Sequence, residues 1–365
     1  MAAQALRGAI ADTAPGARDR VLVFADAMSA TQHISFVAPL AARRAAGEAA
    51  LCLVAEAELD ALKLAEARAA LSELWRRFSP TVVVISRQAS RHVGWIVRTA
   101  REHGTRLVAH LDDDLFDVPD ALGAAKAARH NHPARRGRLE IACRRADAIY
   151  ASTPELGRRL AARFADAPIV AGEIYCAAQP PFARYAPAEE KLFGYMGTAG
   201  HVADLESVAP AIAAVLEAEP DAMFEVFGTI KAPASLKRFG KRVRERGPTA
   251  DYDSFLAAMR GLKWRAGLAP IDPIPFNACK ADTKFVEYAQ AGIPAVLTES
   301  VVYRRPLAAG AARAAANAAE WQSATLRLLR DEGEGAHLAG AARALLESEY
   351  SLARLEAQML SVLRR

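Results

Sequence analysis

The chain has 365 residues, 52% of them hydrophobic and 24% charged, with a formal net charge of +5. That length exceeds what one hydrophobic core supports and implies two domains, and the balance is that of a globular chain rather than a disordered one. Mild basicity fits an anionic ligand or membrane surface without demanding nucleic acid, and four scattered cysteines with no CxxC pair speak against a zinc site or a disulfide framework.

The N-terminal segment has no apolar core long enough for a signal peptide, and no stretch approaches the roughly 18 apolar residues of a membrane span. With unpaired cysteines, this makes the cytoplasm the expected compartment. Arg20–Ala25 reads as a first strand and residues 31–46 as a helix. Strands at 50–54, 80–85, 106–111 and 148–151 alternate with helices at 58–77, 90–103 and 154–164. Nearly continuous apolar strands in a βαβα rhythm predict a parallel sheet covered on both faces. Residues 176–190 hold Pro180, Pro181 and Pro187 and read as a linker. The rhythm then restarts, with strands at 192–196, 223–227, 266–270 and 294–297, helices at 204–218 and 251–262, and a helical tail over 317–364. The expected architecture is α/β, with two Rossmann-like domains facing each other across a cleft and C-terminal helices packing back. The expected boundaries are 1–178, 179–345 and a returning helix in 346–365. Ligands of such sheets bind at the carboxyl ends of the strands, so the cleft is the expected site.

Three groups of residues carry candidate chemistry. The loop Gly194-Tyr-Met-Gly197-Thr198-Ala-Gly200-His201 follows a strand and precedes a helix near Asp204. Its glycines allow close backbone approach to a ligand, and His201 would face the cleft. Asp112-Asp113-Asp114 closes the fourth strand, where a carboxylate is placed to act as a base or to orient an acceptor hydroxyl. The stretch from Asn277 to Pro294 puts Lys280, Lys284 and Glu287 at the start of a short helix, with Lys284 and Glu287 three residues apart on one face. Cations and a carboxylate at a helix N-terminus suit a ligand that has both phosphates and hydroxyls. On an ordinary surface helix the same spacing is a solvated salt bridge. Residues 126–145 hold seven Lys or Arg against one Glu, which fits a phosphate-bearing acceptor or peripheral contact with an anionic membrane. No aromatic residues interleave with these charges, which speaks against nucleic acid.

The order Gly194–His201 with Asp204, Phe224–Gly228, Gly267–Pro270, and Phe276-Asn-x-x-Lys280-x-x-x-Lys284-Phe-x-Glu287-Tyr with Gly292-Ile-Pro294 resembles the donor half of GT-B glycosyltransferases. The likeness is to bacterial surface-polysaccharide enzymes with a group 1, family 4-like donor domain. It covers roughly residues 190–305, with looser support from Asp112–Asp117 and Ala146–Ser152. The resemblance implies a metal-independent glycosyltransferase with no cofactor. A nucleotide sugar would be its donor, and a saccharide or lipid-linked molecule its acceptor. It implies that Glu287 holds the ribose, that Lys280 and Lys284 neutralise the diphosphate, and that Gly197, Thr198 and Gly200 lie under the phosphates or sugar. Asp112, Asp113 and His201 are the candidate catalytic residues. The chain departs from the pattern at Cys279, where many relatives carry a second glutamate for the donor sugar; Asn277 is the expected substitute. It also lacks the Arg and Lys pair after the glycine loop, for which His201 and Lys231 are the nearest candidates. Three readings compete with this one: a metal-dependent transferase using Asp112 and Asp114, a non-catalytic nucleotide-sugar-binding module, and a sugar-nucleotide epimerase of the same fold.

Overall fold

A computed structural model describes residues 6, 10–12 and 16–364. Much of the N-terminal segment read above for a signal peptide lies outside the described residues. The first half is a seven-stranded sheet made of β1 (Ile10–Ala11), β2 (Asp19–Ala25), β3 (Ala49–Ala55), β4 (Val82–Ser86), β5 (Arg106–Leu111), β6 (Ala148–Ala151) and β7 (Ile169–Ala171). The spatial order is β1-β3-β2-β4-β5-β6-β7, parallel throughout except for β1 against β3. The second half is a six-stranded parallel sheet of β8 (Lys191–Gly197), β9 (Ala222–Gly228), β10 (Val243–Arg246), β11 (Ala266–Ala269), β12 (Ala295–Thr298) and β13 (Arg313–Ala315). Its order, β10-β9-β8-β11-β12-β13, places the reversal of strand order between β8 and β11. A crevice opens at that reversal because the connections leave β8 and β11 toward opposite faces.

The central strands are the apolar runs seen in the sequence. Val21–Ala25 and Val83–Val84 are solvent-free, because helices cover both faces of the sheet. Four strands escape sequence reading. β1 has only two residues and β7 only three, β10 is Val-Arg-Glu-Arg, and β13 is Arg-Ala-Ala. All four lie at sheet edges, where one side of the strand is open and an apolar pattern is not required. The helix expected over 58–77 is two helices, Glu56–Asp60 and Leu64–Phe78. The Glu66 carboxylate accepts from the Lys63 amide at 2.8 Å and starts the second one afresh. The helix after β2 contains a π-turn, His33–Val37.

One stretch, Ala199–Ala218, is apolar and long enough to cross a membrane. Its Leu205, Val208, Ile212 and Leu216 are buried in the core of the second half, against Phe193 and Phe224. It is therefore placed as a core helix of that domain.

The final helix, Leu352–Leu363, returns to the first half as expected. Met359, Leu360, Val362 and Leu363 join the core formed by Val21, Leu51 and Val84. Gln358 accepts from the Glu173 amide at 2.7 Å and donates to the Tyr150 hydroxyl at 2.7 Å, while Arg364 reaches Asp19 at 2.5 Å. A second tie runs the other way. Phe276 and Cys279, from the loop after β11, are buried among Leu111, Phe116, Leu139 and Leu156 of the first half. The Thr153 hydroxyl donates to the Cys279 carbonyl at 2.8 Å across the same junction.

Candidate active site

A cavity of about 850 Å³ lies between the halves. Its walls are the loops at the carboxyl ends of β2, β5, β8, β9 and β11, together with the helix Thr283–Gln290. The walls are held by particular residues. Tyr288 accepts from the Met196 amide at 3.1 Å and donates to the Leu268 carbonyl at 2.9 Å, which fixes the helix across the ends of β8 and β11. Gly228 has φ +122°, and a Cβ there would stand 2.2 Å from the Gly197 carbonyl oxygen. Only glycine lets β9 and the β8 loop come this close.

Glu287 and Lys284 line the cavity, and Glu287 is buried. They form no direct ion pair, so the solvated salt-bridge reading does not hold. The Glu287 carboxylate accepts from the Tyr252 hydroxyl at 3.0 Å, and the Lys284 ammonium stands 5.4 Å from the Tyr195 ring centre. Burial pushes the Glu287 carboxyl above its ordinary range, against the pull of Lys284, and pulls the Lys284 ammonium below its own. A buried carboxylate beside a half-buried ammonium is costly to hold, and a ligand that bonds to both relieves that cost. Sequence reasoning missed Tyr252, because a tyrosine beginning a helix between Asp251 and Asp253 carries no recognisable signal.

His201 lines the same cavity, and its Nδ1 lies 2.8 Å from the Asp204 carboxylate. An ionised Asp204 only accepts, so Nδ1–H is the donor and Nε2 is left with a lone pair. The positive charge of Lys284, followed by burial, drives the His201 imidazole down to about 4. Burial works against the Asp204 charge, but the bonds from His201 and from the Asp272 amide hold its carboxyl below the ordinary value. His201 is thus neutral at physiological pH and oriented by a carboxylate.

The three aspartates after β5 do not act together. Asp112 is bound by Arg87, by the Thr31 hydroxyl at 2.8 Å and by the Tyr175 hydroxyl at 3.1 Å. Burial opposes its charge, but Arg87 outweighs burial and holds the carboxyl far below the ordinary range. Asp112 is therefore a counter-ion, which corrects the expectation of a base at this position. Asp114 is buried and accepts from Arg159 at 2.7 Å. Asp112 and Asp113 both line the cavity, and the Asp113 carboxylate lies 3.5 Å from the Lys280 ammonium of the other half. No cluster of three metal-ligating side chains occurs among the described residues.

Gly197 and Thr198 line the cavity; Gly200 lies just outside the lining. Asn277 is buried away from it, and its amide donates to the Asp272 carbonyl at 3.1 Å. Cys279 is fully buried in the first-half core, so neither residue replaces a sugar-holding carboxylate. Lys231 pairs with Glu245 at 2.9 Å on the surface. His33 lines the cavity from the first half, with its ring centre 5.1 Å from that of Tyr252.

No family model matches the chain, and no curated protein matches it in sequence. Solved structures match it in three dimensions. Anabaena HepE in complex with UDP-glucose superposes with a TM-score of 0.64 at 13% identity, over 94% of this chain and 99% of that one. The chain has the GT-B fold. Sucrose-phosphate synthase from Thermosynechococcus elongatus gives a TM-score of 0.64 at 13% identity, over 94% of this chain and 98% of that one. WaaG, a glycosyltransferase involved in lipopolysaccharide biosynthesis, gives 0.58 at 13% identity, over 94% and 99%. TarM gives 0.57 at 10% identity; the match takes 78% of this chain but only 55% of TarM.

Proposed function

We propose that this chain is a glycosyltransferase. It would move a sugar from a nucleotide-sugar donor to a saccharide or lipid-linked acceptor in the synthesis of a surface polysaccharide or glycoconjugate. The observation that carries the reading is the buried Glu287, bonded by Tyr252 and flanked by Lys284, at the reversal point of the second sheet beside the Gly197–Thr198 loop. A carboxylate accepts from two vicinal ribose hydroxyls, and the ammonium groups of Lys284 and Lys280 match a diphosphate. Charge builds on that diphosphate as the glycosidic bond breaks, so the same lysines stabilise the transition state. Matching structures of HepE hold UDP-glucose, UDP and glucose, which supports a nucleotide sugar as donor.

In this reading residues 1–178 bind the acceptor, 179–345 bind the donor, and 346–365 return to the first domain. Asp113 and His201 are the cleft groups placed to meet the acceptor hydroxyl. The reaction requires no cofactor from the protein in this scheme. Four free buried thiols are consistent with a cytoplasmic protein. The basic run splits in the fold: Arg135 is buried against Glu56, whereas Arg129, Arg144 and Arg145 are exposed, as is Ile141, at 45%. That outer face is the proposed contact with an anionic membrane.

The test is calorimetric titration of UDP, GDP, ADP and CMP, followed by hydrolysis or transfer assays with sugar derivatives of whichever binds. Glu287→Ala should abolish binding with the fold intact. Unchanged affinity would sink the donor-site assignment.

A further inference from the structure

Lys126, in the helix Ala124–Asn131, is the first cation of the basic run, and it does not point to the outer surface with Arg129, Arg144 and Arg145. Its ammonium lies 3.8 Å from where a Cβ on Gly200 would stand, so it crosses the cleft to the glycine loop of the second half. It is half-buried and forms no hydrogen bond or ion pair among the described residues. The charges around it are unbalanced. Arg87 is met by Asp26 and Asp112. Asp113, the carboxylate that most favours the Lys126 charge, already lies 3.5 Å from both Lys280 and Arg87. His130, one turn along the same helix, is buried and driven down to about 4 by burial and neighbouring cations, so it adds no charge at neutral pH. Burial lowers the Lys126 ammonium too, and Lys280 and Arg87 oppose its charge.

We infer that Lys126 and Lys280, reaching from opposite halves, hold one phosphate group in the cleft beside Gly200. This rests on the reading of the cavity as a nucleotide-sugar site. Two ammonium groups sharing a single carboxylate leave a positive gap that a phosphate dianion fills, and lysine serves such a group as a mobile point charge. A phosphate held from both sides also favours the closed arrangement of the halves. The phosphate belongs either to the donor diphosphate or to a phosphorylated acceptor, and the chemistry is the same for both.

The experiment uses the full chain and two base-free probes. Pyrophosphate is titrated into wild type, Lys126→Ala, Lys126→Arg and Lys284→Ala; inorganic phosphate is then titrated into the pyrophosphate-saturated proteins. If Lys126 holds the donor diphosphate, Lys126→Ala weakens pyrophosphate by at least about tenfold and Lys126→Arg largely restores it. If it holds an acceptor phosphate, pyrophosphate is unaffected and the second titration is lost in Lys126→Ala. The inference is overturned if both titrations are unchanged in Lys126→Ala while Lys284→Ala still weakens pyrophosphate. If Lys284→Ala is also silent, the donor-site reading itself fails, and this inference with it.

Discussion

Replacing Glu287 by glutamine separates what the carboxylate does for the ligand from what it costs the fold. Burial lifts the Glu287 carboxyl from the ordinary 4.5 to about 7. Between those values the folded protein holds the proton more tightly than the unfolded chain, so stability falls as pH rises through that window. The slope is about 1.4 kcal/mol per pH unit, giving a cost near 3 kcal/mol by pH 8. The amide introduced by Glu287→Gln would be neutral at every pH and would still accept from Tyr252. It would remove that cost, which already includes the attraction of Lys284. The net expectation is a gain of about 1–3 kcal/mol at pH 8, shrinking to nothing near pH 4–5. For a domain of this size that is a rise of roughly 3–8 °C in melting temperature. The assay is thermal unfolding of both proteins from pH 4.5 to 8.5, with nucleoside diphosphate binding measured alongside. Binding should fall while stability climbs. A variant no more stable than wild type at pH 8 would refute the claim that burial makes the Glu287 charge unfavourable.

Asp112→Asn should destabilise by about 3 kcal/mol, because Arg87 would lose its nearest counter-ion in a buried setting; an unchanged melting temperature would contradict the counter-ion role. His110, His130 and His201 are all driven down to about 4, so the unfolded chain binds more protons than the fold below the ordinary 6.5. Stability should therefore drop as pH falls from 6.5 to 4, and His201→Gln should flatten that slope in a pH series of denaturant melts. Cys279→Glu should cost at least about 3 kcal/mol without improving donor binding, since it would bury a charge in the first-half core. Improved donor affinity with normal stability would reverse the placement of Cys279. Phe276→Ala should cost about 3 kcal/mol and expand the particle in solution scattering, whereas an unchanged radius of gyration would mean the halves do not rely on that contact.

Both sheets were legible because their central strands are buried on two faces and must be apolar along their length. The edge strands were not, since Val243–Arg246 and Arg313–Ala315 need no such pattern. In the candidate site, Lys280, Lys284 and Glu287 were legible from charge spacing at a helix start. Their partners were not: Tyr252 comes from another helix, and Arg87, which decides what Asp112 can do, sits 25 positions away in the chain. Local spacing also cannot say which way a side chain turns. It therefore gave no warning that Cys279 enters the first-half core, that Asn277 faces the Asp272 backbone, or that Lys126 leaves its basic neighbours for the cleft.

The loop that carries Phe276 and Cys279 belongs by chain to one half and by packing to the other. Any parting of the halves draws an aromatic ring and a thiol out of a dry core. Exposing them costs on the order of 2–4 kcal/mol at the usual rate per unit of apolar area. That contact therefore resists opening of the cleft, and it does so from Cys279, the residue next to Lys280. Changes at Leu111, Phe116 or Leu156, none of which lines the cavity, would shift how readily the halves part by loosening or tightening that grip.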